Sequence, residues 1–215
     1  MNDLLRAAEL RAQGVSQRSH RPSQRRNQPH VTDVHVRFAT DMTIRQDAEE
    51  SPTVEFRGYA STYNAPYEMY DMFGPYSEVV SAGAAADSLA REGLDVPLVL
   101  GHDPLRRLAR TTNGSLRLSE DAHGLLVDAD LDPEDPDAGY AIAKIRSGLL
   151  DEMSFMFRIT KGTWSPDFTE YRIDAFDIHR GDVSIVGFGA NPGTDAGVRS
   201  AADVLRTRLT LAAAL

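Results

Sequence analysis

Residues 153–159 read Met-Ser-Phe-Met-Phe-Arg-Ile. Met153, Phe155, Phe157 and Ile159 alternate with Ser154, Met156 and Arg158, the period-two pattern of a strand with one face in a core. Upstream, Asp135 to Gly148 predicts a helix, with Tyr140, Ile142, Ala143, Ile145 and Leu149 along one stripe and Gly148 as its C-terminal cap. Downstream, Glu170 to Phe176 and Asp182 to Phe188 read as two further strands, the second closed by a turn at Asn191-Pro192-Gly193.

The same reading extends toward the N-terminus. VEFRGYASTY, from Val54, is a strand, Pro66 to Gly74 a loop, and Ser81 to Arg91 a short helix. Val96 to Leu100 is a buried strand that ends just before His102. Arg106 to Thr112 and Ser115 to Leu118 flank Asn113-Gly114, a hairpin signal, and Gly124 to Leu131 is another strand. There is no internal repeat and no strand–helix–strand rhythm. The fold class is therefore α+β, a mainly antiparallel β-barrel-like core of about seven strands with peripheral helices.

That body occupies residues 51–198, preceded by a basic, largely disordered arm over 1–50 and followed by a helix-prone tail over 199–215. Within the arm, Asn2 to Gln13 fits a short amphipathic helix with Leu4, Leu5, Ala8 and Leu10 near one face, and Ser16 to His30 is a polar linker. The first 30 residues carry Arg6, Arg11, Arg18, Arg21, Arg25 and Arg26 against Asp3 and Glu9, while the whole chain has a net charge of −9. A basic segment on an acidic body points to a docking or removable piece and argues against a general nucleic-acid binder. No apolar run reaches the roughly 18 residues of a membrane span, and the N-terminus has no secretory-signal pattern. With 0 cysteines, disulfides, thiol nucleophiles and thiolate metal sites are excluded. Nucleophilic chemistry would have to use Ser, Thr, Lys or a carboxylate.

Three residues stand out for chemistry. Ser154 is a small hydroxyl inside a very apolar strand, although no G-x-S-x-G elbow surrounds it and strand serines commonly just face outward. His102 leaves a buried strand and so could be held rigidly at a cleft as a general base, or could simply close a turn. Asp182 opens an apolar strand, where a carboxylate could orient an imidazole or face solvent. His179 is an alternative partner and His123 a weaker rival. The histidines are scattered without H-E-x-x-H spacing, no phosphate-binding glycine motif is present, and Asp130 to Gly139 lacks the spacing of a calcium loop.

In order, FRGYASTYN, VPLVLGHD, GLLVDADLD followed by YAIAKIRSGLLDEMSFMF, and DVSIVGFGANPGTDAGV resemble the prohead (capsid maturation) serine proteases of tailed bacteriophages. The resemblance spans about residues 54–198. It implies Ser154 as nucleophile, His102 as general base and Asp182 as the residue that orients the histidine, where the family more often has Glu; Gly189 stands where proline is common. It also implies a fold similar to the herpesvirus maturation proteases, a β-barrel flanked by helices, whose third catalytic member is a histidine; on that model His179 replaces Asp182.

The function implied is a serine endopeptidase that cleaves the major capsid protein, the scaffold and itself inside the immature head in the host cytoplasm. It needs no cofactor, metal, nucleic acid or membrane. Backbone N–H groups would stabilise the oxyanion, with Arg180 a further candidate contributor. Activity must stay off until assembly, a control that a homo-oligomer or local concentration could supply. The alternative is a catalytically inactive capsid assembly or scaffolding protein of the same fold.

Overall fold

The alternating segments become ten strands in the computed structural model, which describes residues 3–15, 43–45 and 53–187. In chain order the described elements are α1 (Asp3–Gly14), β1 (Thr43–Arg45), β2 (Val54–Thr62), β3 (Tyr67–Asp71), β4 (Gly74–Val80), α2 (Ala86–Leu89), β5 (Pro97–Leu100), β6 (Asp103–Arg110), β7 (Leu116–Glu120), β8 (Gly124–Leu131), α3 (Pro136–Arg146), β9 (Glu152–Trp164) and β10 (Glu170–Val186). The polar linker, the Asn191-Pro192-Gly193 turn and the C-terminal tail lie outside the described residues.

One sheet has the order β1-β2-β8-β7, and the other β3-β4-β10-β5-β6 with β9 along the remaining edge of β10. The content is α+β, as expected. The barrel-like closure is not: among the described residues the smaller sheet ends at β7 and the larger at β6, and the two sheets do not join into a barrel. Nor is the pairing uniformly antiparallel, because β10 runs parallel to both β4 and β5. Between the sheets lies one apolar cluster that includes Phe56, Val127 and Ala129 from the smaller sheet and Phe155, Phe157, Phe176 and Ile185 from the larger. The Phe155 and Phe157 rings stack with centroids 4.1 Å apart, so the alternation of residues 153–159 faces the core as read.

Three local expectations need correction. Asn113-Gly114 does not make a hairpin, because β6 pairs with β5 and β7 with β8. Thr111–Asn113 instead form a 3-10 turn, Gly114 takes φ 80°, and the Ser115 hydroxyl donates to Asn113 Oδ1, so the chain turns a corner from one sheet to the other. Residues 66–74 are not a loop but the core of the β3–β4 hairpin, anchored by buried Tyr67 and Tyr76. The two strands read over 170–188 are one strand of 17 residues, β10.

α3 is built as its sequence suggests. The Asp135 carboxylate accepts from the N–H groups of Asp137 and Ala138, Pro136 occupies the first turn, and Gly148 at φ 68° closes the far end. Its buried side is Ala138, Ala141, Ile142 and Ile145, while Tyr140 and Leu149 are exposed.

α1 forms where a helix is expected but packs by a different face. Ala7, Ala8 and Arg11 are buried, whereas Leu5 and Leu10 are exposed. Arg11 is 0% exposed. Its guanidinium makes a two-point ion pair with Asp71 at 2.9 Å, donates to the carbonyls of Gly74, Pro75 and Phe168, and lies 5.0 Å from the centre of the Trp164 ring and 5.1 Å from that of Tyr76. No helix among the described residues is long and apolar enough to cross a membrane.

The β9–β10 register shifts at three places: two single-residue irregularities around Ala175 that cancel, and one larger bulge nearer the site. Asp177 pairs with Arg158, but the next pair is Asp182 with Met156, so Ile178–Gly181 bulge out opposite Phe157. A Cβ on Gly181 would lie 1.8 Å from the Met156 carbonyl oxygen, a backbone atom that cannot move aside without breaking the ladder.

Two expectations follow. Gly181→Ala lowers the melting temperature by several degrees, since overpacking costs about 1–3 kcal/mol, whereas Gly187→Ala, with open space at its Cβ, leaves it nearly unchanged; thermal unfolding by circular dichroism compares them. Arg11→Ala strands the buried Asp71 carboxylate, a loss of about 3–5 kcal/mol. Because a helix of 12 residues is marginal on its own, hydrogen exchange should then show residues 3–14 unprotected while β8 and β10 keep their protection.

Candidate active site

The β9–β10 register sets Ser154 directly opposite Ser184 and Met156 opposite Asp182. Residues opposed in an antiparallel pair project to the same face, and so do residues two apart on one strand. Ser154, Ser184 and Asp182 therefore share a face of the larger sheet. All three are buried, Ser154 being 4% exposed and Ser184 0%.

His102 reaches this face from β5, which lies along the other edge of β10 with Val99 beside Ser184 and Leu100 beside Ile185. Leu100 pairs with Asp103 across a two-residue turn in which Gly101 has φ 63° and His102 φ 57°. Positive φ at both central positions is the signature of a type I′ hairpin turn. Glycine suits that position, and a histidine there costs roughly 1–2 kcal/mol of backbone strain. The strained residue is fixed at two points on β10: His102 Nδ1 lies 2.7 Å from Asp182 Oδ1, and the His102 backbone N–H donates to Ser184 Oγ at 2.9 Å.

A carboxylate only accepts, so at a pH where the ring is neutral the proton sits on Nδ1 and Nε2 keeps its lone pair free. The His102 side chain is only 10% exposed and that of Asp182 4%, so this contact operates largely out of water, where it is electrostatically stronger. The arrangement can present an oriented imidazole acceptor on the sheet face that bears a serine hydroxyl. Ser154 is held on this face by strand register and not, among the described hydrogen bonds, by one to His102; contacts of that kind commonly close only with substrate bound.

The other residues singled out from sequence lie elsewhere. His179 sits in the β10 bulge, where its Nδ1 accepts the Asp95 N–H at 3.2 Å. Arg180, at φ 58°, donates its own N–H to the Asp95 carbonyl. His123 packs edge-on against Tyr59, ring centroids 4.5 Å apart, at the β7–β8 turn of the smaller sheet.

Asp95 thereby ties the bulge to the segment that enters β5. The hydrogen-bonded Arg110 guanidinium, with N–O distances of 2.7 Å, holds its carboxyl below the usual carboxylate range. Ser184 was not singled out from sequence; the signal available was a second polar residue two positions after Asp182 in an otherwise apolar strand. No group of three or more His, Cys, Asp or Glu among the described residues is placed to hold a metal ion.

Residues 40–207 match the family model described as caudovirus prohead serine protease. No curated protein matches the chain.

The geometry sets the ring tautomer. In ¹⁵N-histidine spectra at neutral pH, His102 should appear as the Nδ1–H form. Asp182→Ala should shift it toward the Nε2–H form that free imidazoles favour, and an unchanged spectrum would mean that Asp182 does not set the tautomer.

Proposed function

The chain belongs to the caudovirus prohead serine protease family, and from that premise we propose that it is a serine endopeptidase whose nucleophile is Ser154, whose general base is His102 and whose orienting acid is Asp182. The observation that carries this reading is the His102–Asp182 contact on the sheet face that also bears Ser154. His102 Nε2 takes the Ser154 proton as the oxygen attacks a peptide carbonyl. The C–N bond then breaks, the imidazolium gives its proton to the leaving amine, and water repeats the sequence on the acyl-enzyme to release the acid and restore Ser154. Base assistance of this kind contributes about 10²–10⁴ in rate, and Asp182, accepting from Nδ1–H, leaves the lone pair of the neutral ring on Nε2 and stabilises the imidazolium that forms.

The substrates under this reading are the major capsid protein and the scaffold, cut inside the procapsid in the host cytoplasm, and the chain itself, with its basic N-terminal segment as the removable piece. The chemistry assigned to these residues calls for no metal or cofactor.

Co-expression with the capsid and scaffold proteins, followed by intact-mass analysis of every chain, tests this. Discrete fragments are expected with the wild type and none with Ser154→Ala or His102→Ala. The same fragments in all samples, or none with assembled heads present, would instead indicate an inactive assembly protein of this fold.

A further inference from the structure

We infer that Ser184 is a positioning residue for the reaction, holding the backbone of His102 in its positive-φ turn so that the ring stays against Asp182 on the face that bears Ser154; this rests on the assignment of Ser154 and His102 proposed above. Three facts converge on Ser184. Its Oγ accepts the His102 N–H at 2.9 Å. It is fully buried, and its own proton has carbonyl acceptors at Val99 and Ile185, each 3.3 Å away, so the hydroxyl is committed to the backbone and is not itself a nucleophile. It stands opposite Ser154 in the β9–β10 ladder and two residues after Asp182 on the same strand.

β10 therefore grips His102 twice from one face, the ring through residue 182 and the main chain through residue 184. A third tie, from Gly101 N–H to the Ile185 carbonyl at 2.9 Å, fixes the residue before it. The central residues of a type I′ turn disfavour a side chain with a Cβ. Without an acceptor for the His102 N–H, the turn loses a hydrogen bond that offsets that conformation and leaves a partly buried donor without its partner. The backbone then relaxes and the imidazole swings with it. A displacement of about 1 Å between base and nucleophile is enough to cost on the order of a hundredfold in rate. A merely structural buried serine would affect stability without changing the chemical step.

A fluorophosphonate probe measures the reactivity of the serine without a known substrate. On the full chain, the maximal rate of Ser154 labelling and the half-saturating probe concentration are read by intact mass for the wild type, Ser154→Ala, Ser184→Ala, Ser184→Cys and Val127→Ala. The last removes buried bulk from the smaller sheet and serves as a stability control. Ser184→Ala is expected to lower the maximal rate about 10–100-fold at unchanged half-saturation and to weaken the Nδ1–H signature of His102 in ¹⁵N spectra. Ser184→Cys, a poorer acceptor of similar shape, should fall between, and Val127→Ala should label like the wild type despite a lower melting temperature. Wild-type rates in Ser184→Ala, or a loss matched by Val127→Ala, would overturn the positioning role while leaving Ser154 as nucleophile. Labelling of the wild type no faster than Ser154→Ala would remove the protease assignment and this inference with it.

Discussion

Strand β10 is the constraint on which the rest of the molecule depends. It hydrogen-bonds to β4 and β5 along one edge and to β9 along the other, so three chain segments take their positions from one ladder. The bulge in that ladder decides which face each side chain occupies. From the pair Asp177–Arg158 to the pair Asp182–Met156, β10 advances five residues while β9 advances two. An odd excess reverses the faces beyond it. Carried straight on, the earlier register would set Ser154 opposite Gly181, which has no side chain to offer. The bulge sets it opposite Ser184 and brings Asp182 to the same face. Only a glycine fits at 181, against the Met156 carbonyl, so the site geometry traces to a single residue without a Cβ.

The energetics of the turn fit the same picture. A histidine at positive φ costs roughly 1–2 kcal/mol. One backbone hydrogen bond is worth about 0.5–1.5 kcal/mol and one to a charged group about 1.5–3 kcal/mol. The Ser184 and Asp182 contacts together thus exceed the strain, which the Ser184 contact alone at best matches. His102 is held because both contacts come from the same rigid strand. Strain stored at a site and over-determined by its surroundings is how folds preorganise a reactive group.

Much of this was legible in the sequence. Strand-like stretches located β2, β8, β9 and both ends of β10, with the alternation plainest in β9, and Asp135 to Gly148 bounded α3. Ser154, His102 and Asp182 could be named because they are polar groups in or beside apolar strands. What escaped were properties of pairing. Asn113-Gly114 supplies the positive φ that a hairpin wants, but Gly114 spends it on a corner, because β6 finds its partner in β5 and β7 in β8. The polar stretch 177–181 looked like a break between strands because a bulge and a loop have the same composition. Arg11 looked like one more surface charge in a basic segment, since nothing local reveals that Asp71, Trp164 and the Phe168 carbonyl will surround it.

The two anchored features of the chain sit at opposite ends of the β9–β10 hairpin. Arg11 locks α1 to the turn end, at Trp164 and Phe168, while Ser154 lies ten residues back along β9. At about 3.3 Å per residue that separation is roughly 30 Å along the strand. α1 therefore does not act on the site as a plug through this contact. Its contacts reach β10 through both the β3–β4 hairpin and the β9–β10 turn, each far from Ser154 along the strand. Buried Ala7 and Ala8 and the Arg11 guanidinium thus hold α1 at the β3–β4 and β9–β10 turns, remote from the face that bears Ser154.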